Sequence, residues 1–235
     1  MYYPHYSYYF DPSYLLLILG MIISLIAQSR VRSVTSRYAE VGARCGLTGA
    51  DLARRMLDDG GLQDVAIEVI AGNLTDHYDP ASRTLRLSQG VAGSRSITAL
   101  GVAAHETGHA FQHRDAYKPL VLRTAAVSTV NIGSHLSWPL VLLGLVFSWQ
   151  PLITAGIVLF SLVVLFTLIT LPVEFNASSR ALATLEGEGY LDAEEMTGAR
   201  KVLSAAALTY VAAALTAVLQ LLRLLALSGR GRRRS

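Results

Sequence analysis

The sequence predicts a mainly α-helical multi-pass membrane protein, with about four membrane helices and a small α+β region outside the bilayer. Three observations lead there. Hydrophobic residues make up 52% of the 235 residues and charged residues only 16%, against about 25% charged in a soluble globular chain. Long uncharged runs stand near the start, in the middle and near the end. Between the first two of them, residues 30–118 return to the composition of a water-soluble domain, with both signs of charge and regular turn residues.

The first uncharged run is SYLLLILGMIISLIAQ, residues 13–28, preceded by Tyr2, Tyr3, Tyr6, Tyr8, Tyr9 and Phe10. Tyrosines suit the lipid headgroup layer, and the start lacks the basic n-region of a cleaved signal peptide, so this reads as a retained span. The next apolar block, residues 127–173, is interrupted by strongly polar groups only at Asn131, His135 and Gln150. Its length is roughly twice the ~20 residues that cross hydrocarbon once. Ser148-Trp149-Gln150-Pro151 supplies a turn, because proline cannot continue the helical ladder, so two helices form a hairpin with both ends on one side. Residues 204–227, rich in Ala and Leu, offer a fourth span.

Charge places the regions relative to the membrane. Arg30, Arg32, Arg37 and Arg44 follow the first span with only Glu40 opposing them, which puts residues 30–118 on the cytoplasmic side. Four full spans would then put the basic RGRRRS tail outside, against the same rule, unless the last segment is re-entrant. The formal charge of +3 owes everything to that tail: without its four arginines, 16 basic residues face 17 acidic ones. No broad basic face is left for nucleic acid. Cys45 is the single cysteine, so any metal must be held by histidine and carboxylate.

Within the outer region, residues 33–44 read as a helix ended by Gly46. Thr48 and Asp51 form a capping box for a second helix that stops at Gly60-Gly61. Val65, Ile67 and Val69 alternate as in a strand, Asp79-Pro80 marks a turn and residues 84–88 alternate again, predicting a small antiparallel sheet. From about Ser94 to His113 the pattern becomes helical.

That helix carries His105-Glu106-Thr107-Gly108-His109. Histidines four apart lie about 6 Å apart along the axis and about 40° apart around it, so both imidazoles can grip one ion. Glu106, about 100° round from His105, can instead reach a water on the open side of that ion, where a general base is needed. Gly108 lets another backbone or side chain come close. An incidental helix is the plain alternative, but uncharged neighbours from Ser96 to Gln112 favour a zincin-like metal site in this α+β region.

Zinc in a catalytic site takes a third protein ligand and leaves one position open. His113 is about 12 Å along the helix from His105, too far to converge. Spacing leaves His77 and His135 open, although His135 reads better as a polar group in a membrane bundle. Glu174 is the better choice, because the hairpin returns it to the side from which the His105 helix approached the membrane. Its setting, LPVEFNASSRA, opens with Pro172 as at the start of a helix and places Ser178 one turn beyond the glutamate. Glu186, Glu188, Glu194 and Glu195 read as solvated charges.

The segments LTDHYDP, VAAHETGHAFQH and LPVEFNASSRA, in this order and with this hydropathy, resemble the YugP-type bacterial membrane zinc metallopeptidases. They are also distantly similar to the HtpX and CAAX-prenyl endopeptidase group. The resemblance covers nearly the whole chain and implies a bacterial plasma-membrane location and Glu174 as third zinc ligand. Ser178 stands where the distant relatives have Asp, a weaker partner for orienting a ligand histidine.

The expected organisation is an aromatic tail and first membrane helix over 1–29, a catalytic region over 30–118, a membrane hairpin over 119–173, a third-ligand helix region over 174–203, and an apolar helix with basic tail over 204–235. The expected function is zinc-dependent endopeptidase. One Zn²⁺ per chain would be held by His105, His109 and Glu174, with Glu106 as the base and peptides or membrane proteins as substrates beside membrane lipid. The strand at 84–88 either pairs with substrate or is simply part of the small sheet, and Arg180 either stabilises the reacting carbonyl or pairs with an acidic neighbour or a lipid phosphate. The alternative is a membrane scaffold or adaptor with a residual structural zinc site and no proteolysis. A transporter finds little support, since the presumed spans hold almost no ionisable residues.

Overall fold

The structure, a computed structural model, describes residues 11–73 and 75–231; the aromatic start and the last four residues of the basic tail lie outside the described residues. Helix α1 (Tyr14–Ala39) is one uninterrupted helix of 26 residues, about 39 Å long. The separate helix expected over residues 33–44 is not formed. No Gly or Pro breaks the chain after the span, and the Thr35 hydroxyl donates to the Val31 carbonyl within the same helix. The chain leaves α1 only at Glu40, and Ala43 N–H then donates to the Arg95 carbonyl.

Helix α2 (Gly49–Asp59) starts on the expected capping box, with the Thr48 side chain accepting from Asp51 N–H and the Asp51 carboxylate accepting from Thr48 N–H. It stops where Gly61 adopts φ +71° and Leu62 N–H folds back to the Leu57 carbonyl. Its buried face, Leu52, Ala53, Met56 and Leu57, belongs to the core of the region outside the membrane.

Strands β1 (Ala66–Ile70), β2 (His77–Asp79) and β3 (Thr84–Ser88) form a sheet of order β1-β3-β2. The sheet is mixed rather than antiparallel: β1 runs parallel to β3, and only β2 is antiparallel to it. Residues 80–83 close a tight β2–β3 hairpin, with the Asp79 carboxylate accepting from Ala81 N–H and the Ser82 hydroxyl. Residues 71–76 must therefore cross the width of β3 to bring the chain from β1 to β2. β3 is thus the interior strand, buried at Leu85 and Leu87, and has no free edge for a substrate. The edge strands are β1 and β2, and β2 is the edge that faces Glu106 of the His105 helix.

After the short α3 (Gln89–Ala92), helix α4 (Ile97–Arg114) is capped by Ser96, whose hydroxyl accepts from Ala99 N–H. It is buried on most of its faces and packs against α2 and the later helices. Helices α5 (Lys118–Val146) and α6 (Gln150–Gly187) form the expected hairpin around residues 147–149. Small residues let them approach: a Cβ on Gly156 would lie 2.7 Å from the Ser137 carbonyl oxygen. Pro172 does not open a helix but sits inside α6, so Glu174 projects from mid-helix, where α6 continues out of its apolar stretch.

Helix α7 (Ala193–Gly231) begins where the Asp192 carboxylate accepts from the N–H groups of Glu194 and Glu195. Glu195 is not solvated: it is buried and accepts from the N–H groups of Arg44 and Asp192. α7 lies antiparallel to α1. Thr216 bonds to the Gly20 carbonyl and the Ser24 hydroxyl, and Arg223 stacks over the Tyr14 ring at 5.0 Å. The last apolar segment therefore extends the length of α1 rather than turning back.

Among the described residues four helices, α1, α5, α6 and α7, are long and apolar enough to cross a membrane. Their outer faces expose large apolar side chains, among them Ile26 at 64%, Ile132 at 63% and Val146 at 76%. Water would penalise such a surface, whereas hydrocarbon does not. The expected architecture stands: a mainly helical multi-pass bundle with a small sheet-bearing region beside it.

Candidate metal centre

The centre forms where α4 crosses α6. A Cβ on Gly108 would fall 2.4 Å from the Ala177 carbonyl oxygen, so only glycine permits this approach. It brings the His105 and His109 face of α4 against the Glu174 face of α6. His105 Nε2 lies 3.2 Å and His109 Nε2 3.6 Å from the same oxygen, Glu174 Oε2. The imidazoles meet nearly edge to face, with centroids 4.8 Å apart and planes at 83°, and the three donor atoms lie within 4.8 Å of one another.

These distances fit a metal. Two ligands each about 2.0–2.1 Å from a tetrahedral zinc are about 3.3–3.4 Å apart, close to both observed separations. Glu174 is buried, which favours an ionised carboxylate only if cations or donors meet it. Its second oxygen, Oε1, faces Arg123 of α5, whose Nη1 is 3.6 Å away. Oε2 is left to the imidazoles.

Both histidines are oriented from behind. His105 Nδ1 lies 3.0 Å from the Ser178 hydroxyl, so the serine does engage the ring. His109 Nδ1 lies 3.0 Å from Gln112 Oε1. Gln112 is itself fixed, because its Nε2 donates to the Val173 carbonyl and to Asn176 Oδ1. With Oε1 as acceptor, His109 carries a proton on Nδ1, which leaves Nε2 facing Glu174, the position from which it could bind a metal. Burial pushes the His109 pKa down, but the Glu174 and Glu106 carboxylates outweigh it and raise the value.

Glu106 stands beside this group. Its Oε2 accepts from Tyr78 N–H on the outer edge of β2 at 3.2 Å. Burial raises its pKa, with His105 and His109 pulling the other way. A cavity of about 380 Å³ opens in front, walled by Asp76 and Tyr78 of the β2 strap, Glu106 and His109 of α4, Arg123 of α5 and Tyr210 of α7. Tyr210 and Glu174 line the same cavity.

The other sequence candidates are not among the three converging ligands, although His77 lines the same cavity. His113 bonds the Tyr78 hydroxyl at 2.9 Å. His77 turns its Nδ1 to the Thr75 carbonyl, and His135 is exposed on the outside of α5, not within the bundle. Arg180 is held by Asp115 and Asn176; of its expected roles, only the acidic pairing is observed.

Arg123, Tyr210, Gln112 and Asn176 were not singled out by sequence. Gln112 carried a usable signal, three residues from His109 and hence on the same helical face. Arg123 and Tyr210 carried none, since only the packing of α5 and α7 brings them to α6.

A family model described as "Putative neutral zinc metallopeptidase" matches residues 13–229. Over 217 residues the chain is 50% identical to "Putative membrane protease YugP" of Bacillus subtilis (strain 168), an alignment covering 92% of this chain and 96% of that protein. No solved structure matches the chain. With a match from the first membrane helix to the end of the last, the chain belongs to this neutral zinc metallopeptidase family.

Proposed function

We propose that the chain is a membrane-embedded endopeptidase of a bacterial plasma membrane, with His105, His109 and Glu174 holding one Zn²⁺ and Glu106 as general base. The observation that carries this reading is the convergence of His105 Nε2, His109 Nε2 and Glu174 Oε2, with the Glu106 carboxylate beside them. Bound there, zinc would supply a lowered water pKa and polarisation of the scissile carbonyl.

The chain's own groups account for the rest. Glu106, raised in pKa by burial, suits a base that takes a proton from the attacking water and returns it to the leaving amine. As the water oxygen bonds to the carbonyl carbon, negative charge grows on the carbonyl oxygen; it returns to the C=O bond when the C–N bond breaks and the amine leaves with the proton from Glu106. Arg123 and Tyr210, on the cavity wall beside Glu174, are the donors placed to meet that charge. An extended peptide would lie along the outer edge of β2, adding a strand by backbone hydrogen bonds and taking over the Tyr78 N–H that Glu106 accepts from in its absence.

The cavity opens where α5, α6 and α7 enter their apolar stretches, which favours exposed segments of membrane proteins as substrates, on the cytoplasmic side. The scaffold alternative asks for a closed structural site, usually with four protein ligands. Among the described residues the group has three. The test is metal analysis and cleavage of an unfolded protein such as casein by the detergent-purified chain. One zinc per chain and cleavage lost in Glu106→Gln with zinc retained are expected; full activity in that variant contradicts the assignment of the base.

A further inference from the structure

We propose that a groove between α1 and α7, separate from the metal centre, is a binding site for the headgroup of an anionic phospholipid. Arg30 of α1 and Thr197, Arg200, Lys201, Ser204 and Leu208 of α7 line a cavity of about 280 Å³. The α7 residues fall on one stripe of the helix, spaced three and four apart, so their side chains face Arg30 together.

The position is set by the sequence on both sides. Below Arg30, α1 carries no charge from Tyr14 to Ser29; beyond Lys201, α7 carries none until Arg223. The second stretch, 21 residues, is about 31 Å of helix, one hydrocarbon thickness. The groove therefore sits at the level where both helices pass from charged to apolar, which is the headgroup layer. Thr216 pairs with Gly20 and Ser24 further along and holds the two helices in this register.

Three cations share the groove, and no carboxylate lines it. Arg200 is partly neutralised by Glu186 at 2.6 Å. Among the described residues, Arg30 and Lys201 pair with no carboxylate and are exposed. Like charges gathered without counter-ions repel, so a bound anion relieves a cost that the bare groove carries. The Ser204 and Thr197 hydroxyls add donors for phosphate oxygens, and Leu208, one turn deeper, meets the start of an acyl chain. A zwitterionic headgroup brings its own cation and gains less. The ligand that matches on all counts is a diacyl lipid of net negative charge.

The full chain in mixed micelles of phosphatidylglycerol and phosphatidylcholine, with matched acyl chains, tests this by native mass spectrometry. The wild type is expected to retain phosphatidylglycerol preferentially. Arg30→Gln with Lys201→Gln is expected to weaken retention on the order of 25-fold, about fivefold for each charge removed. Both positions are exposed, so the fold should survive, which unchanged zinc content verifies. Ser204→Glu, placing a carboxylate in the groove, should release the lipid as well, while Arg30→Lys with Lys201→Arg should keep it. Equal retention of the two lipids, or undiminished retention in the Gln and Glu variants, overturns the proposal. Displacement of the lipid by inorganic phosphate would assign the groove to a free anion and overturn it too.

Discussion

Gly108 of α4 and Ala177 of α6 touch so closely that a single methyl group on the glycine would lie 2.4 Å from the Ala177 carbonyl oxygen. This contact sets the distance between the helix that carries both histidines and the helix that carries Glu174. Gly108→Ala is expected to push the helices apart or to strain them, at a cost of about 1–3 kcal/mol typical of overpacking. Zinc content and thermal unfolding of the detergent-purified variant check this. An unchanged melting temperature with full zinc would mean that the crossing is looser than described.

Gln112 and Ser178 hold the two imidazoles from behind. Gln112→Leu and Ser178→Ala should each weaken zinc binding about 10- to 100-fold, the usual effect of losing such a partner. Gln112→Leu should be the more damaging, because it also strips hydrogen bonds from the buried Val173 carbonyl and from Asn176. Competition against a chelator measures both. Equal affinities in wild type and Gln112→Leu would remove the proposed orienting role.

Zinc binding should depend on pH with a definite sign. In the metal-free centre the neighbouring carboxylates raise the His109 pKa against the effect of burial, so a proton is favoured where the metal must bind. A metal requires the neutral imidazole, and its affinity should therefore fall as pH drops through the raised His109 value and flatten above it. The limiting slope is about tenfold per pH unit for one displaced proton. A chelator titration across mildly acidic to neutral pH reads the slope; a flat profile contradicts the competition.

Arg123 faces the oxygen of Glu174 that the histidines do not. On the proposed mechanism Arg123→Ala and Tyr210→Phe should each lower kcat by about 10²–10³-fold, as for the loss of a donor to a developing oxyanion. Zinc should be retained in Tyr210→Phe. Wild-type kcat in both variants would assign the carbonyl oxygen to other donors.

What the sequence made legible follows from which interactions are local. The capping box at Thr48 and Asp51, the glycine stop of α2 and the turn of the membrane hairpin depend on residues within a few positions of one another. The pairing of His105 with His109 is fixed by the helical repeat alone. Order across the chain was harder. The sheet was expected to be antiparallel because alternation fixes a strand but not its neighbour, and β3 became the interior strand only through a crossing connection. Pro172 marked a helix start in the sequence yet lies within α6, because an apolar surrounding and neighbouring helices tolerate the break in hydrogen bonding that water would exploit. Glu195 looked like a surface charge, and a tertiary partner on Arg44 gives it a structural place; of the roles open to Arg180, packing chose the acidic neighbour Asp115.

X-ray diffraction from zinc-loaded crystals of the whole chain, recorded at the zinc absorption edge, tests the central claim most directly. The account predicts one anomalous peak per chain, within about 2.0–2.2 Å of His105 Nε2, His109 Nε2 and a Glu174 carboxylate oxygen, with a non-protein fourth ligand. A peak that leaves Glu174 unbound, or one closed by a fourth protein side chain, would contradict it.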